Sequence, residues 1–323
     1  MKARILLDTN IWRALADADA GQALLSTSKN NGLEIVIAPA VVYETLAMGD
    51  VVVRNRILRM QAAQHWTRLM PDAFTECLEI RNEVRRLHPE WLASDPDLSL
   101  FNRHERDWRR KTASGKGYSQ QGFWDRVRNH PDSMSKAIID GRLELARQET
   151  QAVDLKGKEK IAKPTLLDGM TARLEGQSPS SAVDAWRWPA FAAFASHIQA
   201  QDGAYRDWLV PFFRIDPANM GSEPWTLFWV YEADTLSVPR QWVRWAFSNR
   251  QLYRKWTPGT PGDQQLSSYL IDCDYVVSAD KAFVDIANVV RAEAPITMAR
   301  GIRVAGGKEG VAELLDFCST AIS

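Results

Sequence analysis

Little in this 323-residue chain marks out a special environment. It has no excess of either charge: Lys plus Arg and Asp plus Glu stand at 40 each, so charge has to be read locally. It has only three cysteines, Cys77, Cys273 and Cys318, far apart and odd in number. That argues against a disulfide framework or a zinc knuckle and fits a reducing, cytoplasmic setting. No apolar run is long enough to span a bilayer, so no membrane partner is expected. The first residues open a strand pattern at once, instead of a basic stretch followed by an apolar one and a cleavage site. A glycine-rich phosphate loop is missing too. "VAGGKEG" (Val304–Gly310) lacks both the P-loop spacing and its Lys-Ser/Thr pair, which argues against nucleotide-driven enzymes. There is no internal repeat and no low-complexity tract.

What is present is strand alternating with helix at the two ends of the chain. "RILL" (Arg4–Leu7) reads as a short buried strand, with Asn10 as the N-cap of the helix after it. "EIVIAP" (Glu34–Pro39) reads as a second strand, and Pro39 suits the first turn of a helix that ends at Gly49. Late in the chain, the breaker-rich "TPGTPGD" (Thr257–Asp263) precedes a helix over Gln264–Ile271. A strand over Asp274–Asp280 follows, then a helix, a further strand in "ITMARGIRVAGG" and a closing helix in "KEGVAELLDFC". This alternation predicts an α/β fold with a parallel sheet sandwiched by helices. From about Val53 to Arg250 strand signals almost vanish, and apolar residues recur at helical spacing. The expected organisation is an α/β core in two parts, residues 1–53 and 251–323, split by a mostly α-helical insertion over 54–250. Neither part has enough strands alone, so the two must meet in space. The insertion is rich in tryptophan: eleven of the 13 lie between Trp66 and Trp245. Trp186, Trp188, Trp242 and Trp245 occur at helical spacings and read as its core.

Four carboxylates fall where such a sheet would gather them. In an open parallel sheet, sites form at the carboxyl ends of the strands. Asp8 follows the first strand and Asp280 follows "YVV". Glu44 sits on an otherwise apolar helix face with Ala40, Val41, Ala47 and Met48, which is costly without a cation or metal. Asp263 stands where the helix after the proline- and glycine-rich turn begins. Each has a plainer reading. Asp8 and Asp263 suit N-caps, Glu44 suits an arginine partner, and Asp280 suits an ordinary loop. Taken together, four acids facing one end of one sheet call for divalent cations to hold their charge.

These residues carry a resemblance. "ILLDTNIW" resembles the opening of PIN-domain nucleases, where an Asp follows the first strand and is trailed by Thr or Ser and Asn. "APAVVYETL" resembles that family's next helix, with its Glu at the place of Glu44. "GDQQLSSYLIDCDYVVSADKAF" resembles the late segment, in which an Asp opens a helix and another follows the next strand; these are Asp263 and then Ser278, Asp280 and Phe283. The resemblance covers roughly residues 1–53 and 255–300. It implies endoribonuclease activity, the hydrolysis of phosphodiester bonds in RNA, with Mg²⁺ or Mn²⁺. Asp8 would be the central ligand, Asp263 and Asp280 would complete the main site, and Glu44 would serve a second metal or orient water. Thr9, Asn10 and Ser278 would support the carboxylates. Many compact relatives are toxins restrained by an inhibitory protein partner. The chain departs from them in length, with about two hundred residues interposed. The five histidines, His65, His88, His104, His130 and His197, all lie in that stretch, so metal-assisted hydrolysis is expected over a histidine acid.

Within the insertion, Phe101–His130 holds eight Lys/Arg against three Asp/Glu, interleaved with aromatics. Arg109, Arg110, Lys111 and Lys116, beside Trp108 and Trp124, suit the phosphates and bases of a single-stranded RNA; a solvated helical surface is the alternative. Other readings stay open: a DNA or structure-specific nuclease of the same fold, and a non-catalytic RNA-binding protein with an inert acidic pocket. A phosphatase of the haloacid dehalogenase type needs a second acid two residues after the first, where Asn10 stands.

Overall fold

The computed structural model describes residues 2–63, 65–99, 101–102, 185–199, 208–214, 223–251 and 260–320. Five strands form one all-parallel sheet: β1 (Ala3–Leu7), β2 (Leu33–Ile37), β3 (Thr67–Arg68), β4 (Tyr275–Ser278) and β5 (Arg300–Arg303), in the order β3-β2-β1-β4-β5. Ile5, Leu6 and Leu7 are wholly buried, as are Val276 and Val277. The central strands therefore read as continuous apolar runs because helices cover the sheet. The two chain ends meet at its middle, where Ile5, Leu6 and Leu7 pair with Tyr275, Val276 and Val277.

β3 is the element that departs from expectation. It lies inside the stretch assigned to the helical insertion and pairs through Val36↔Thr67 and Ile37↔Arg68. It is two residues long, half-buried, and has no apolar alternation. A short polar edge strand leaves no period to read.

Helix α1 (Thr9–Asp17) begins at Asp8, whose side chain accepts from the Thr9 N–H. Asp8, not Asn10, is thus the N-cap. Ile11, Trp12 and Leu15 give α1 its buried face, and it packs on α4 (Val51–Gln61) and on the last helix. Between α1 and β2 runs α2 (Gly21–Asn30). Helix α3 (Pro39–Ala47) starts with the proline at its first turn, as its missing N–H allows. Helix α5 (Asp72–Leu87) follows β3; α6 (Arg187–Gln199) and α7 (Glu223–Leu227) with its π-helical continuation Phe228–Glu232 build an aromatic layer. Trp186, Phe194, Trp225, Phe228 and Trp229 are buried there in edge-on and tilted pairs. Trp242 and Trp245 are buried as expected, whereas Trp188 is half-exposed, turned outward on α6.

Helix α8 (Pro239–Gln251) joins this layer to the sheet side. Its buried residues touch α6 and α5 as well as α9 (Thr260–Ser267) and α10 (Lys281–Glu293), so one apolar core runs through the described residues. Phe247 meets Phe283 of α10 with ring centroids 5.4 Å apart. Arg244 pairs with Glu76 and, at 3.1 Å, with Asp72; Arg240 pairs with Glu79 and Asp272. Helix α11 (Gly307–Thr320) closes the fold. Gly310 is fixed by packing: a Cβ there would lie 1.8 Å from the Ala305 carbonyl oxygen. Among the described residues no helix is long and apolar enough to cross a membrane.

Candidate functional site

The order of the strands reverses between β1 and β4: the chain moves outward from β1 to β3, then returns to β4 on the other side. At such a switch point the connections leave in opposite directions and open a crevice beyond the carboxyl ends of the strands. Asp8 is the first residue after β1, and its N–H donates to the Val277 carbonyl at 3.0 Å. Asp280 follows β4 and caps α10, its Oδ1 accepting from the N–H groups of Ala282 (2.6 Å) and Phe283 (3.1 Å).

The polar residues between these acids form one connected set. Ser278 Oγ donates to Asp8 Oδ2 at 2.5 Å and accepts from the Asp280 N–H at 2.9 Å. The Asn10 amide donates to Asp8 Oδ2 at 2.6 Å and to Ser278 Oγ at 3.0 Å, while its oxygen accepts from the Ala279 N–H at 3.0 Å. The Thr9 N–H donates to Asp8 Oδ1 at 2.6 Å, and its hydroxyl donates to Glu44 Oε2 at 2.5 Å. Thr9, Asn10 and Ser278 thus hydrogen-bond to the carboxylates of Asp8 and Glu44.

Glu44 reaches the cluster from α3, and α9 backs onto it: a Cβ on Gly262 would stand 3.9 Å from its carboxyl. Asp263 lies within the first turn of α9, which begins at Thr260 and not at Gln264. Pro261 reads as a breaker in the sequence, yet a first turn tolerates proline because an N–H at that position would have no partner in the helix. Asp8 is buried; Asp263 is half-buried, and Glu44 and Asp280 face solvent at the mouth.

Among the described residues, the electrostatics are those of an acid cluster without an ion-pair partner. None of the ion pairs among the described residues involves these four carboxylates. Asp263 is pushed up to about 8, by burial first and then by Asp8, Asp280 and Glu44. Burial also raises Asp8, against the lowering hydrogen bonds of Ser278, Thr9 and Asn10. The part of Glu44 withdrawn into the crevice raises its pKa by desolvation, opposed by the Thr9 hydroxyl and reinforced by Asp8.

Hard oxygen donors with uncompensated charge are the ligand chemistry of Mg²⁺ or Mn²⁺. Among the described residues, however, no three His, Cys, Asp or Glu are gathered as a ready cation cage. Many of their oxygens rest on internal donors instead: Asp8 on Thr9, Asn10 and Ser278, Glu44 on Thr9, and Asp280 on the start of α10. The residues expected to bind nucleic acid in the insertion, Trp108, Arg109, Arg110, Lys111, Lys116 and Trp124, lie outside the described residues, as do His104 and His130.

A second charged cluster, Asp72, Glu76, Glu79, Asp272, Arg240 and Arg244, is absent from the sequence reading. Its members come from α5, α8 and the turn before β4, and no local spacing links the acids to the arginines. Burial raises Glu76 to about 8 and Glu79 to about 7, although Arg244 and Arg240 pull the other way. Comparison with protein-family models, with curated proteins and with solved structures finds no match to this chain.

Proposed function

We propose that this chain is a divalent-metal-dependent nuclease of PIN-like type, an endoribonuclease that hydrolyses phosphodiester bonds in single-stranded RNA. One observation carries the reading. Asp8, Glu44 and Asp280 lie close enough to Asp263, at the carboxyl edge of a parallel sheet and its switch point, to act on it by charge, and none of the four has a cation partner among the described residues.

Asp8 is the central ligand of this reading, with Asp263 and Asp280 completing the site and Glu44 serving a second ion or the attacking water. A bound Mg²⁺ or Mn²⁺ would supply Lewis acidity and lower the pKa of a water. The chain's own residues do the positioning. Asn10 and Ser278 fix Asp8 Oδ2, so the carboxylate keeps one orientation as charge changes around it. Thr9 holds Glu44 at the mouth. The exposed Glu44 and Asp280 leave the approach open to a polymer, while buried Asp8 forms the floor.

Labelled RNA and DNA oligonucleotides of matched sequence test the reading with the purified full chain. RNA cleavage should require Mg²⁺ or Mn²⁺, stop with EDTA, and fall by about 100-fold or more in Asp8→Asn. Undiminished cleavage by Asp8→Asn would remove the assignment. A second reading, a non-catalytic RNA-binding protein with an inert acidic pocket, draws on the hydrogen bonds that already occupy the carboxylate oxygens. It predicts RNA binding that is indifferent to Mn²⁺, with no cleavage under any metal.

A further inference from the structure

Beside the acids, the same edge of the sheet carries cations that none of the described ion pairs uses. Arg303 ends β5 and is the register partner of Ser278, the residue whose hydroxyl holds Asp8 and the Asp280 N–H. Neighbouring strands lie about 4.8 Å apart, so the Arg303 backbone runs one strand-spacing from the acid cluster. The chain stays against β4 beyond that point, with the Val304 N–H donating to the Ser278 carbonyl at 3.2 Å. Lys281 directly follows Asp280 at the first position of α10, and Lys308 stands at the start of α11, five residues on from Arg303. All three are exposed.

The arrangement is two-sided: acids around buried Asp8 at the β1/β4 crevice, and three cations outward along β5 and the helix starts that flank it. None of the described ion pairs joins the two groups, although cations and acids share one rim. Arg300, the other exposed cation of β5, begins that strand beside Tyr275 and belongs to the opposite edge. From this juxtaposition we infer that Lys281, Arg303 and Lys308 form a backbone track for single-stranded nucleic acid. The track seats the phosphates flanking the one presented to the carboxylates, and so sets the direction in which the strand crosses β4 and β5. The inference rests on the nuclease reading of the acid cluster and adds its substrate path. Cations of this kind read phosphates and not sugars or bases, so the track serves RNA and DNA alike, and any preference between them arises elsewhere.

The test measures binding of labelled single-stranded RNA and DNA oligonucleotides to the full chain across a salt series, all in the Asp8→Asn background so that nothing is cut. Mn²⁺ binding and cleavage are followed in parallel with Asp8 intact. Changing Lys281, Arg303 and Lys308 together to Ala should weaken both oligonucleotides by about 10-fold and make the slope of log K against log salt shallower by about 2. Mn²⁺ binding should be unchanged, and Glu309→Gln, beside Lys308, should not weaken binding. A triple variant that matches the parent in affinity and salt slope, while the parent binds and cuts, overturns the track and leaves the nuclease reading standing. A parent protein that neither binds nor cuts either oligonucleotide overturns both. Single Lys281→Ala, Arg303→Ala and Lys308→Ala variants, each expected to take part of the slope, keep the question decidable if the triple variant fails to fold.

Discussion

The Ser278 hydroxyl serves three groups at once: it donates to Asp8 and accepts from the Asp280 N–H and the Asn10 amide. Ser278→Ala leaves a part-buried N–H and a buried carboxylate short of a partner, so it should cost about 1–3 kcal/mol by urea unfolding. On the nuclease reading it should also lower metal-dependent cleavage by about 10–100-fold. Asp263 works in the other direction. Its folded-state pKa of about 8 lies above the unfolded 3.8, so the unfolded chain gives up this proton first as pH rises. The stability associated with that proton is full below pH 4 and is lost on the way to pH 8. Asp263→Asn should therefore stabilise the metal-free protein at pH 8 by a few kcal/mol at most, read as a higher Tm in EDTA. It should lose the stabilisation that Mn²⁺ gives the parent. At this scale the sequence was readable where an acid ends an apolar run, as Asp8 does. It was ambiguous where two capping residues stand close together: Asn10 and Asp8 both suit the cap, and Asp8 is the one with extended backbone and its side chain on the Thr9 N–H.

Among the elements, α8 carries the most tertiary structure that no pattern foretold. Arg244 and Arg240 on this helix meet acids of α5 more than 160 positions earlier, so only the folded chain puts them together. Arg244→Met would leave Asp72, and Glu76 above its pKa of about 8, without their cation in a buried place, and should cost about 3–5 kcal/mol in unfolding free energy measured at pH 9. Replacing Asp72, Glu76 and Arg244 together by apolar residues of similar volume should cost much less, because no charge is then left unpaired. The strands were legible in proportion to their burial. β1, β2 and β4 announce themselves as runs of Ile, Leu and Val, whereas Thr67–Arg68 pairs by its backbone alone. Helix α9 was legible as a helix but not in its start, since Pro261 serves equally as a breaker and as a first-turn residue.

For the whole molecule, several buried or half-withdrawn acids push the same way. Asp8, Glu44, Glu76, Glu79 and Asp263 all hold their protons to higher pH in the folded state, with burial the leading cause in each. Through these five groups the folded state holds more protons than the unfolded one above about pH 4.5, and their contribution to stability should fall as pH rises toward 8. Thermal melts in EDTA should show a lower Tm at pH 8 than at pH 5.5; a flat profile would contradict it. Added Mn²⁺ should recover part of the loss at pH 8 in the parent and none in Asp8→Asn. The α/β architecture and the meeting of its ends were readable because both ends carry the same strand–helix alternation. The continuity of the core was not, because α8 packs on both sides and its residues look like those of any insertion helix.

The hydrogen bond from Ser278 to Asp8 spans 270 positions, and β1 has no partner on that flank until β4 exists. During synthesis β1 must wait, unsealed on that side, while everything between Leu7 and Tyr275 is made. A product released early, at any codon before Tyr275, lacks Ser278 and Asp280 and the strand that seats them. On the reading proposed above, a copy that stops before Tyr275 cannot assemble the acid cluster, and competence arrives only once β4 has been made.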